Sequence, residues 1–140
     1  MGVIPMMVDY QALLANAKTA RERAYTPYSR FKVGAAVLTA SGQIFHGCNI
    51  ENAAYPVCLC AERSALAAAW SAGETEFIAL AVVADTPGPV APCGMCRQFM
   101  FELAPDLPVL LANLAEQTQH TTPRELLPGG FSPESLAHNR

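Results

Sequence analysis

Two short cysteine motifs constrain this chain more than any other feature of its sequence. They are Cys60-Ala61-Glu62-Arg63 and, well downstream, Pro92-Cys93-Gly94-Met95-Cys96-Arg97-Gln98. Three thiols brought together could hold one zinc ion. A structural tetrahedral site takes four protein ligands, whereas a catalytic site leaves one position for water. Glu62 lies two residues from the first thiol and could move protons to and from that water. The motifs therefore indicate hydrolytic chemistry.

The predicted helices place these thiols at helix ends. Cys93 and Cys96 are three residues apart in the first turn of one predicted helix, so their sulfurs share a face. The positive end of a helix dipole lowers the pKa of a thiol there, which favours the thiolates that zinc needs. Cys60 opens another helix. It can converge with Glu62 only at that helix end, because residues two apart in a helix interior point to nearly opposite sides.

Arg63 is a candidate for balancing the charge of the cluster. Three thiolates around a divalent ion leave a net charge of minus one, which weakens the ion's effect on its water. Arg63 follows Cys60 by three positions and can hydrogen-bond the thiolates. We therefore expect it to support the metal ligands rather than to bind the metal.

The cysteines alone leave other interpretations open. Cys93 and Cys96 could form a thioredoxin-like redox pair, although that motif requires neither Cys60 nor Glu62. Cys58 could supply a fourth thiol and make the zinc site structural. The cysteines could also be small core residues. The histidines show no ligand spacing and are assigned no role: His46, His120 and His138.

Composition indicates one domain, residues 1–140, that is unusually apolar for a soluble protein. The chain is 51% hydrophobic and 15% charged, and such a surplus suggests that other subunits cover part of the surface. The net charge is −3 and its basic residues are scattered, which argues against a nucleic-acid partner.

Membrane and export signals are not expected either. No apolar run approaches the roughly 20 residues of a membrane span, and the apolar stretch 1–8 is short and lacks a basic leader. The five cysteines are an odd number. They indicate reduced thiols or metal ligands, and hence a cytoplasmic protein.

Hydrophobic patterns predict three helices and four strands along the chain. The order is helix 9–24, strands 32–39 and 43–50, helix 60–72, strand 77–84, helix 93–103 and strand 109–112. Asp9 is the predicted N-cap of the first helix, the first two strands form a hairpin, and the alanine-rich helix 60–72 should be buried. The last three elements form a β-α-β unit with parallel strands. The prediction is an α/β fold with a mixed sheet between helices.

Further candidate residues lie outside the cysteine motifs. Asn49 and Glu51 follow a strand and suit the vicinal hydroxyls of a sugar, although a polar loop bonded to itself is an equally good interpretation. Phe31 and Phe131 could stack on a planar ring, but single phenylalanines are more often core residues.

Together with the cysteine motifs, longer segments resemble a known family. They are Tyr28-Ser-Arg-Phe31-Lys-Val-Gly-Ala-Ala36, Gly47-Cys-Asn49-Ile-Glu51-Asn-Ala-Ala-Tyr55 and Glu125-Leu-Leu-Pro-Gly-Gly-Phe131. In order and content they are similar to the small homotetrameric zinc-dependent cytidine deaminases, over most of residues 10–136. The wider class of zinc deaminases includes all-cysteine ligand sets with a glutamate that does not bind the metal. The segment 112–121 fits the family poorly.

The resemblance implies a role for each candidate residue. Cys60, Cys93 and Cys96 would bind one zinc ion per chain, with Glu62 as the proton shuttle. Asn49 and Glu51 would hold the ribose 3′-hydroxyl, and Ala53 and Tyr55 would belong to the same substrate loop. Phe31 would pack against the pyrimidine, and Phe131 would reach the base in a neighbouring subunit's pocket.

The resemblance also implies the fold and the activity. The fold would be a three-layer α/β/α sandwich around a mixed five-stranded sheet, assembled as a homotetramer with shared active sites. The enzyme would convert cytidine and deoxycytidine to uridine and deoxyuridine with release of ammonia, in pyrimidine salvage. The alternatives are a deaminase of a modified cytosine nucleoside such as blasticidin S and, from another class, a binding module stabilised by structural zinc.

Overall fold

A single mixed sheet organises the computed structural model, which describes residues 7–137. Its strands stand in the order β2-β1-β3-β4-β5. Only β3 and β4 pair in parallel, and the other neighbours are antiparallel. The strands are β1 (Val33–Thr39), β2 (Ile44–Cys48), β3 (Phe77–Ala84), β4 (Val109–Asn113) and β5 (Thr118–Thr121).

Helices cover both faces of this sheet. They are α1 (Tyr10–Arg21), α2 (Ala61–Ser71), α3 (Gly94–Leu103), α4 (Pro123–Leu126) and α5 (Pro133–Ala137). One buried cluster joins α1 to one sheet face through Leu13 and Ala17. A second joins α2 and α3 to the opposite face through Leu66 and Met100. This confirms the predicted three-layer α/β/α sandwich and its five-stranded mixed sheet.

Strand direction brings the two cysteine motifs to one edge of the sheet. Because β1 is antiparallel to both of its neighbours, β2 and β3 run in the same direction. Their carboxyl ends therefore lie at the same edge, and α2 and α3 begin from there. The register places Val33, the first residue of β1, opposite Ala84 at that edge. The loop before β1 thus lies close to both helix N-termini.

Local signals explain where the first two helices begin and end. The Asp9 carboxylate accepts a hydrogen bond from the Ala12 amide at 3.0 Å, as predicted for the N-cap of α1. Helix α1 ends at Arg21 rather than at residue 24, because Tyr25 leaves the helix to form a β-bridge with Ile50. Helix α2 ends before Gly73, whose φ of 84° suits glycine.

Two further features differ from the sequence prediction. Helix α2 is not buried all round in the single chain: Ala67 and Ala68 are exposed, and Trp70 is 47% exposed. The physical reason is that α2 lies in an outer layer and contacts the sheet through one face only. The second difference is β5, which was not predicted from the residue pattern. Its first three residues are exposed, so it lacks the apolar alternation of a core strand.

The remaining sequence expectations concern membranes and the chain ends. Within residues 7–137, none of the helices combines the length and the hydropathy needed to cross a bilayer. Most of the N-terminal apolar stretch and all of His138 lie outside the described residues.

Two glycines allow helices to approach the sheet closely. A Cβ atom at Gly34 would collide with the backbone of α1 at Ala17 and Arg21. A Cβ atom at Gly47 would collide with the Ala61 carbonyl oxygen and the Ala65 amide nitrogen. Backbone atoms of a helix cannot move away singly, so a side chain at position 47 would displace the N-terminal half of α2.

This close approach gives a testable prediction. Gly47→Ala should lower the free energy of unfolding by about 1–3 kcal/mol, the usual cost of overpacking a core, as measured by the midpoint of urea unfolding. Gly88→Ala is the matched control, since a Cβ there has nothing within 4 Å. It should change stability by less than about 0.5 kcal/mol. Equal midpoints for the two variants would contradict the close packing at Gly47.

Candidate active site

The three predicted thiol ligands meet where α2 and α3 begin. Cys60 is the N-cap of α2 and Cys93 is the N-cap of α3, while Cys96 lies in the first turn of α3. The three Sγ atoms all lie within 4.8 Å of one another, and those of Cys60 and Cys93 are 3.6 Å apart. Neither N-cap side chain is used to cap its own helix, so both sulfurs are available to a ligand.

The sulfur cluster fits a zinc ion. Zinc–thiolate bonds of about 2.3 Å in tetrahedral geometry place sulfurs roughly 3.8 Å apart, which is within the spread of the cluster. A donor set made only of soft thiolates also suits zinc better than magnesium or calcium. The Cys58 thiol is not part of the cluster. Its sulfur accepts a hydrogen bond from the Asn52 amide at 3.2 Å.

The charges around the cluster favour thiolates. The pKa of Cys60 falls to about 5, mainly because the Cys96 thiol donates a hydrogen bond to its sulfur, with further contributions from Arg63 and Cys93. The pKa of Cys96 rises in turn, because the Cys96 thiol loses its hydrogen bond to the Cys60 sulfur when it ionises. A divalent cation can bind both sulfurs as thiolates, so the two thiols would no longer share one proton. Its binding would release protons.

Arg63 lies where the sequence predicted it, beside the cluster. Its Nη2 atom donates a hydrogen bond to the Cys60 sulfur at 3.4 Å. This contact places a fixed positive charge against the thiolate. Within the described part of the chain, the buried Nε of Arg63 has no hydrogen-bond partner. The Nε–H group of the guanidinium is therefore a donor that remains for another acceptor.

Glu62 is a buried carboxylate in the first turn of α2. It is 4% exposed, and burial raises its pKa to about 7, with a smaller contribution from the negative charge of Cys60. A carboxyl group with a pKa near neutrality can both accept and donate a proton. This is the property required of a group that carries protons between a water and a substrate.

Two adjoining cavities open at this site. The larger has a volume of about 430 Å³ and is lined by Tyr28, Ser29, Asn49, Glu51, Tyr55, Cys58, Leu59 and Cys60. The smaller has a volume of about 180 Å³ and is lined by Phe31, Val33, Asn49, Cys60, Ala61, Glu62, Val90, Ala91 and Cys93. Asn49 and Cys60 line both. The first cavity presents polar loop groups, and the second presents an aromatic ring beside the cluster.

The Glu51 carboxylate is fixed by the loop before β1. One oxygen accepts hydrogen bonds from the amides of Tyr28 and Ser29, each at 3.0 Å, and the other accepts one from the Ser29 hydroxyl. Chiefly through the Ser29 hydroxyl, these bonds hold the pKa of Glu51 below its ordinary value. The carboxylate therefore stays ionised and keeps lone pairs that can accept from a ligand hydroxyl.

Asn49 is bonded to the same part of the backbone. Its amide oxygen accepts from the Val33 amide at 2.8 Å, and its amide nitrogen donates to the Phe31 carbonyl at 2.7 Å. Asn49 thus partly caps its own loop, as the alternative interpretation proposed. One N–H and one lone pair of the side chain remain for a ligand.

Four predicted site residues line neither cavity of the described chain. Cys96 and Arg63 lie at the thiol cluster itself, and the other two are Ala53 and Phe131. Ala53 is exposed to solvent. Phe131 is 55% exposed and lies after α4, where its carbonyl accepts a hydrogen bond from Gln98 at 2.9 Å. His46 bonds the Asn16 side chain and His120 packs against Tyr10, so neither belongs to the thiol cluster.

Sequence reasoning missed Ser29 as part of this site. Ser29 occurs in the segment 28–36 that resembles the family, but the residue pattern assigns it no role of its own. Its hydrogen-bond partner Glu51 lies 22 positions away in the sequence. The available signal was the sequence Pro27-Tyr28-Ser29, which is typical of a turn in which a serine hydroxyl bonds nearby backbone. That signal indicates a turn but does not identify the carboxylate that the turn would hold.

Comparison with known proteins agrees with this geometry. The model of the cytidine and deoxycytidylate deaminase zinc-binding region matches residues 7–111. The chain is 54% identical to a cytidine deaminase of Sporosarcina psychrophila over 94% of this chain and 97% of the relative. It is 39% identical to a cytidine deaminase of Mycobacterium tuberculosis, over 95% and 97% of the two chains.

Solved structures show the same fold. A crystal structure of cytidine deaminase from Burkholderia pseudomallei matches with a TM-score of 0.86 and 54% identity. The match covers 89% of this chain and 100% of the other chain. One from Mycobacterium tuberculosis matches with a TM-score of 0.77 and 38% identity, over 89% and 98%. With the matched zinc-binding region and the three converging thiols, these likenesses show that the chain belongs to the cytidine and deoxycytidylate deaminase family.

Proposed function

We propose that this protein hydrolyses cytidine and deoxycytidine to uridine and deoxyuridine, with release of ammonia. One observation carries the proposal: two thiols of the three-thiol cluster, Cys60 and Cys93, line a small cavity together with a buried carboxylate, Glu62, and an aromatic ring, Phe31. A larger cavity, which presents the Glu51 carboxylate and the Asn49 amide to a ligand, adjoins it. The cytidine deaminases named above support the substrate class.

Cys60, Cys93 and Cys96 would hold one zinc ion per chain. When bound, zinc lowers the pKa of a water molecule and so supplies the nucleophile for ring carbon 4 of the pyrimidine. Arg63 and the N-termini of α2 and α3 oppose the negative charge of three thiolates. These groups offset part of the negative charge that would otherwise weaken the effect of the ion on its water.

Glu62 would carry the protons. It accepts one from the attacking water and delivers it to ring nitrogen 3, which makes carbon 4 a better electrophile. In the second transfer, Glu62 would take the proton of the new hydroxyl group on carbon 4 and give it to the exocyclic amine, so that the bond between carbon 4 and this nitrogen breaks, ammonia leaves and the carbonyl of the uracil product forms. Burial of Glu62 beside the cluster suits this role, because the carboxyl group is shielded from bulk water and lies in the same small cavity.

The larger cavity would bind the sugar. Glu51 and Asn49 are placed to bond the 3′-hydroxyl, and Tyr55 lines the same cavity, with Ala53 on the loop between them. Phe31 would pack against the pyrimidine. A site that reads the 3′ position leaves the 2′ position unread, so both ribose and deoxyribose nucleosides would be substrates.

We further propose a single domain, residues 1–140, that assembles as a homotetramer. An apolar cleft of about 420 Å³ lies on the outer face of α2 and α3, lined in part by Ala67, Trp70, Phe99 and Leu103. An exposed apolar surface of this kind favours subunit contact. In the tetramer, the exposed Phe131 would reach the base in a neighbouring active site.

The biological setting is also part of the proposal. The reduced thiols required by the site suit the cytoplasm, and an enzyme that converts free nucleosides would serve pyrimidine salvage. The net charge of −3 and the acidic Glu51 in the larger cavity disfavour nucleic acid as a partner.

Two alternatives make different predictions. A deaminase of a modified cytosine nucleoside such as blasticidin S shares the metal motif but would prefer that substrate over cytidine. A binding module with structural zinc needs a fourth ligand. The position of Cys58, whose thiol bonds the Asn52 backbone outside the cluster, argues against that module.

The activity is tested by comparing substrates. Purified enzyme should convert cytidine and deoxycytidine to their uracil products with comparable kcat/KM, measured by ultraviolet absorbance. Free cytosine should react at least about a hundredfold more slowly, because it lacks the sugar contacts that would help to orient it. Equal rates on cytosine and cytidine would contradict the assignment of the larger cavity to the sugar. Faster turnover of blasticidin S than of cytidine would favour the alternative.

Replacing the carboxylate tests its proposed role. Glu62→Gln should retain zinc, because Glu62 is not a ligand, but should lower kcat by about 10²–10⁴, the usual contribution of general acid–base catalysis. Zinc content and turnover are measured on the same sample. Glu76→Gln, which changes an exposed glutamate, is the matched control and should keep both. Near-normal turnover of Glu62→Gln would remove Glu62 from the chemistry.

A further inference from the structure

Ser29 lies between the two residues that would hold opposite ends of the nucleoside. Its hydroxyl bonds one oxygen of Glu51, which faces the larger cavity. The same hydroxyl oxygen accepts a hydrogen bond at 3.0 Å from the amide of Phe31, which lines the smaller cavity. One side-chain oxygen therefore connects the proposed sugar site to the proposed base site.

The direction of these bonds follows from the donors available. The Phe31 amide can only donate, so the Ser29 oxygen accepts from it. The single hydroxyl hydrogen of Ser29 then remains for the Glu51 carboxylate, which can only accept while ionised. Ser29 uses its donor and one of its two acceptor positions in these two bonds.

The backbone between these residues supports the same conclusion. Arg30 has a φ of 56°, in the left-handed region that non-glycine residues seldom adopt. The bond from the Phe31 amide to the Ser29 hydroxyl spans this residue. It stabilises a turn that would otherwise be unfavourable, and strained turns of this kind are found where a loop must present groups to a ligand.

We propose that Ser29 is a positioning residue that sets Glu51 for recognition of the nucleoside 3′-hydroxyl. This inference rests on the proposed function. Glu51 is partly exposed, and a free carboxylate on such a loop would sample several rotamers. Fixing it before the substrate arrives avoids the entropy loss of ordering it on binding. The amides of Tyr28 and Ser29 bond the other carboxylate oxygen of Glu51. Loss of the Ser29 hydroxyl should therefore loosen the Glu51 side chain without releasing it completely.

The test combines a change in the enzyme with a change in the substrate. Ser29→Ala should lower kcat/KM for deoxycytidine about tenfold, the usual effect of removing one hydrogen bond to a charged group. For 2′,3′-dideoxycytidine, which differs only in lacking the 3′-hydroxyl, the loss should be less than about threefold, because the group that Glu51 would bind is absent. Ser29→Thr keeps a hydroxyl at an exposed position and should restore deoxycytidine turnover to within about threefold of wild type.

Ser41→Ala provides a matched control. Ser41 also donates its hydroxyl to a carboxylate, that of Glu74, but at the other end of β1 from the cavities. This variant should leave kcat/KM for both substrates unchanged.

The possible outcomes separate this proposal from the activity itself. If Ser29→Ala lowered kcat/KM by the same factor for the two substrates, Ser29 would only maintain the loop, and the proposal would be overturned. Equal turnover of the two substrates by wild-type enzyme would also overturn it, because Glu51 would then not read the 3′-hydroxyl. In both cases formation of deoxyuridine by the wild type would leave the proposed activity standing. No product from any nucleoside with the wild type would refute the activity instead.

Discussion

The N-termini of α2 and α3 point to a common position at one edge of the sheet, and the rest of the site depends on that placement. Each helix begins after a strand of the same direction, so its positive end faces the same volume. Cys60 and Cys93 occupy the two N-caps, where the helix dipoles favour thiolates. Gly47 allows α2 to lie close enough to the sheet for this convergence. The cluster is therefore a product of topology as well as of cysteine spacing.

A short segment joins the thiol cluster to the substrate loop. Ile50 forms one β-bridge with Tyr25 and another with Leu59, the residue before Cys60. Asn49 and Glu51, on either side of Ile50, hold the loop that carries Ser29 and Phe31 through side-chain bonds. These bonds and bridges are continuous, so they connect the groups proposed to hold the sugar and the base to Cys60 at the proposed metal site. This arrangement suits a reaction in which the position of carbon 4 relative to water decides the rate.

The parts of the structure that depend on local sequence were predictable. The N-cap position of Cys60, the β1–β2 hairpin and the parallel pairing of β3 with β4 all follow from spacing, turn residues and apolar runs. The polar strand β5 was not predictable from its residue pattern, because it forms only by pairing with β4. The exposed outer face of α2 and the bond from Ser29 to Glu51 also depend on how distant segments pack. Only the family resemblance indicated a fifth strand, and neither it nor the residue pattern identified the role proposed for Ser29.

The coordination number of the metal is the most direct test of this account. X-ray absorption at the zinc edge, recorded on the purified and fully reduced enzyme, counts the sulfur and lighter atoms around the ion. Three thiolate ligands and one open position predict one zinc per chain with three sulfur neighbours and one oxygen or nitrogen neighbour. Four sulfur neighbours would mean a closed structural site, and protein that binds no zinc would have no catalyst of the kind proposed. Either result would contradict the central claim.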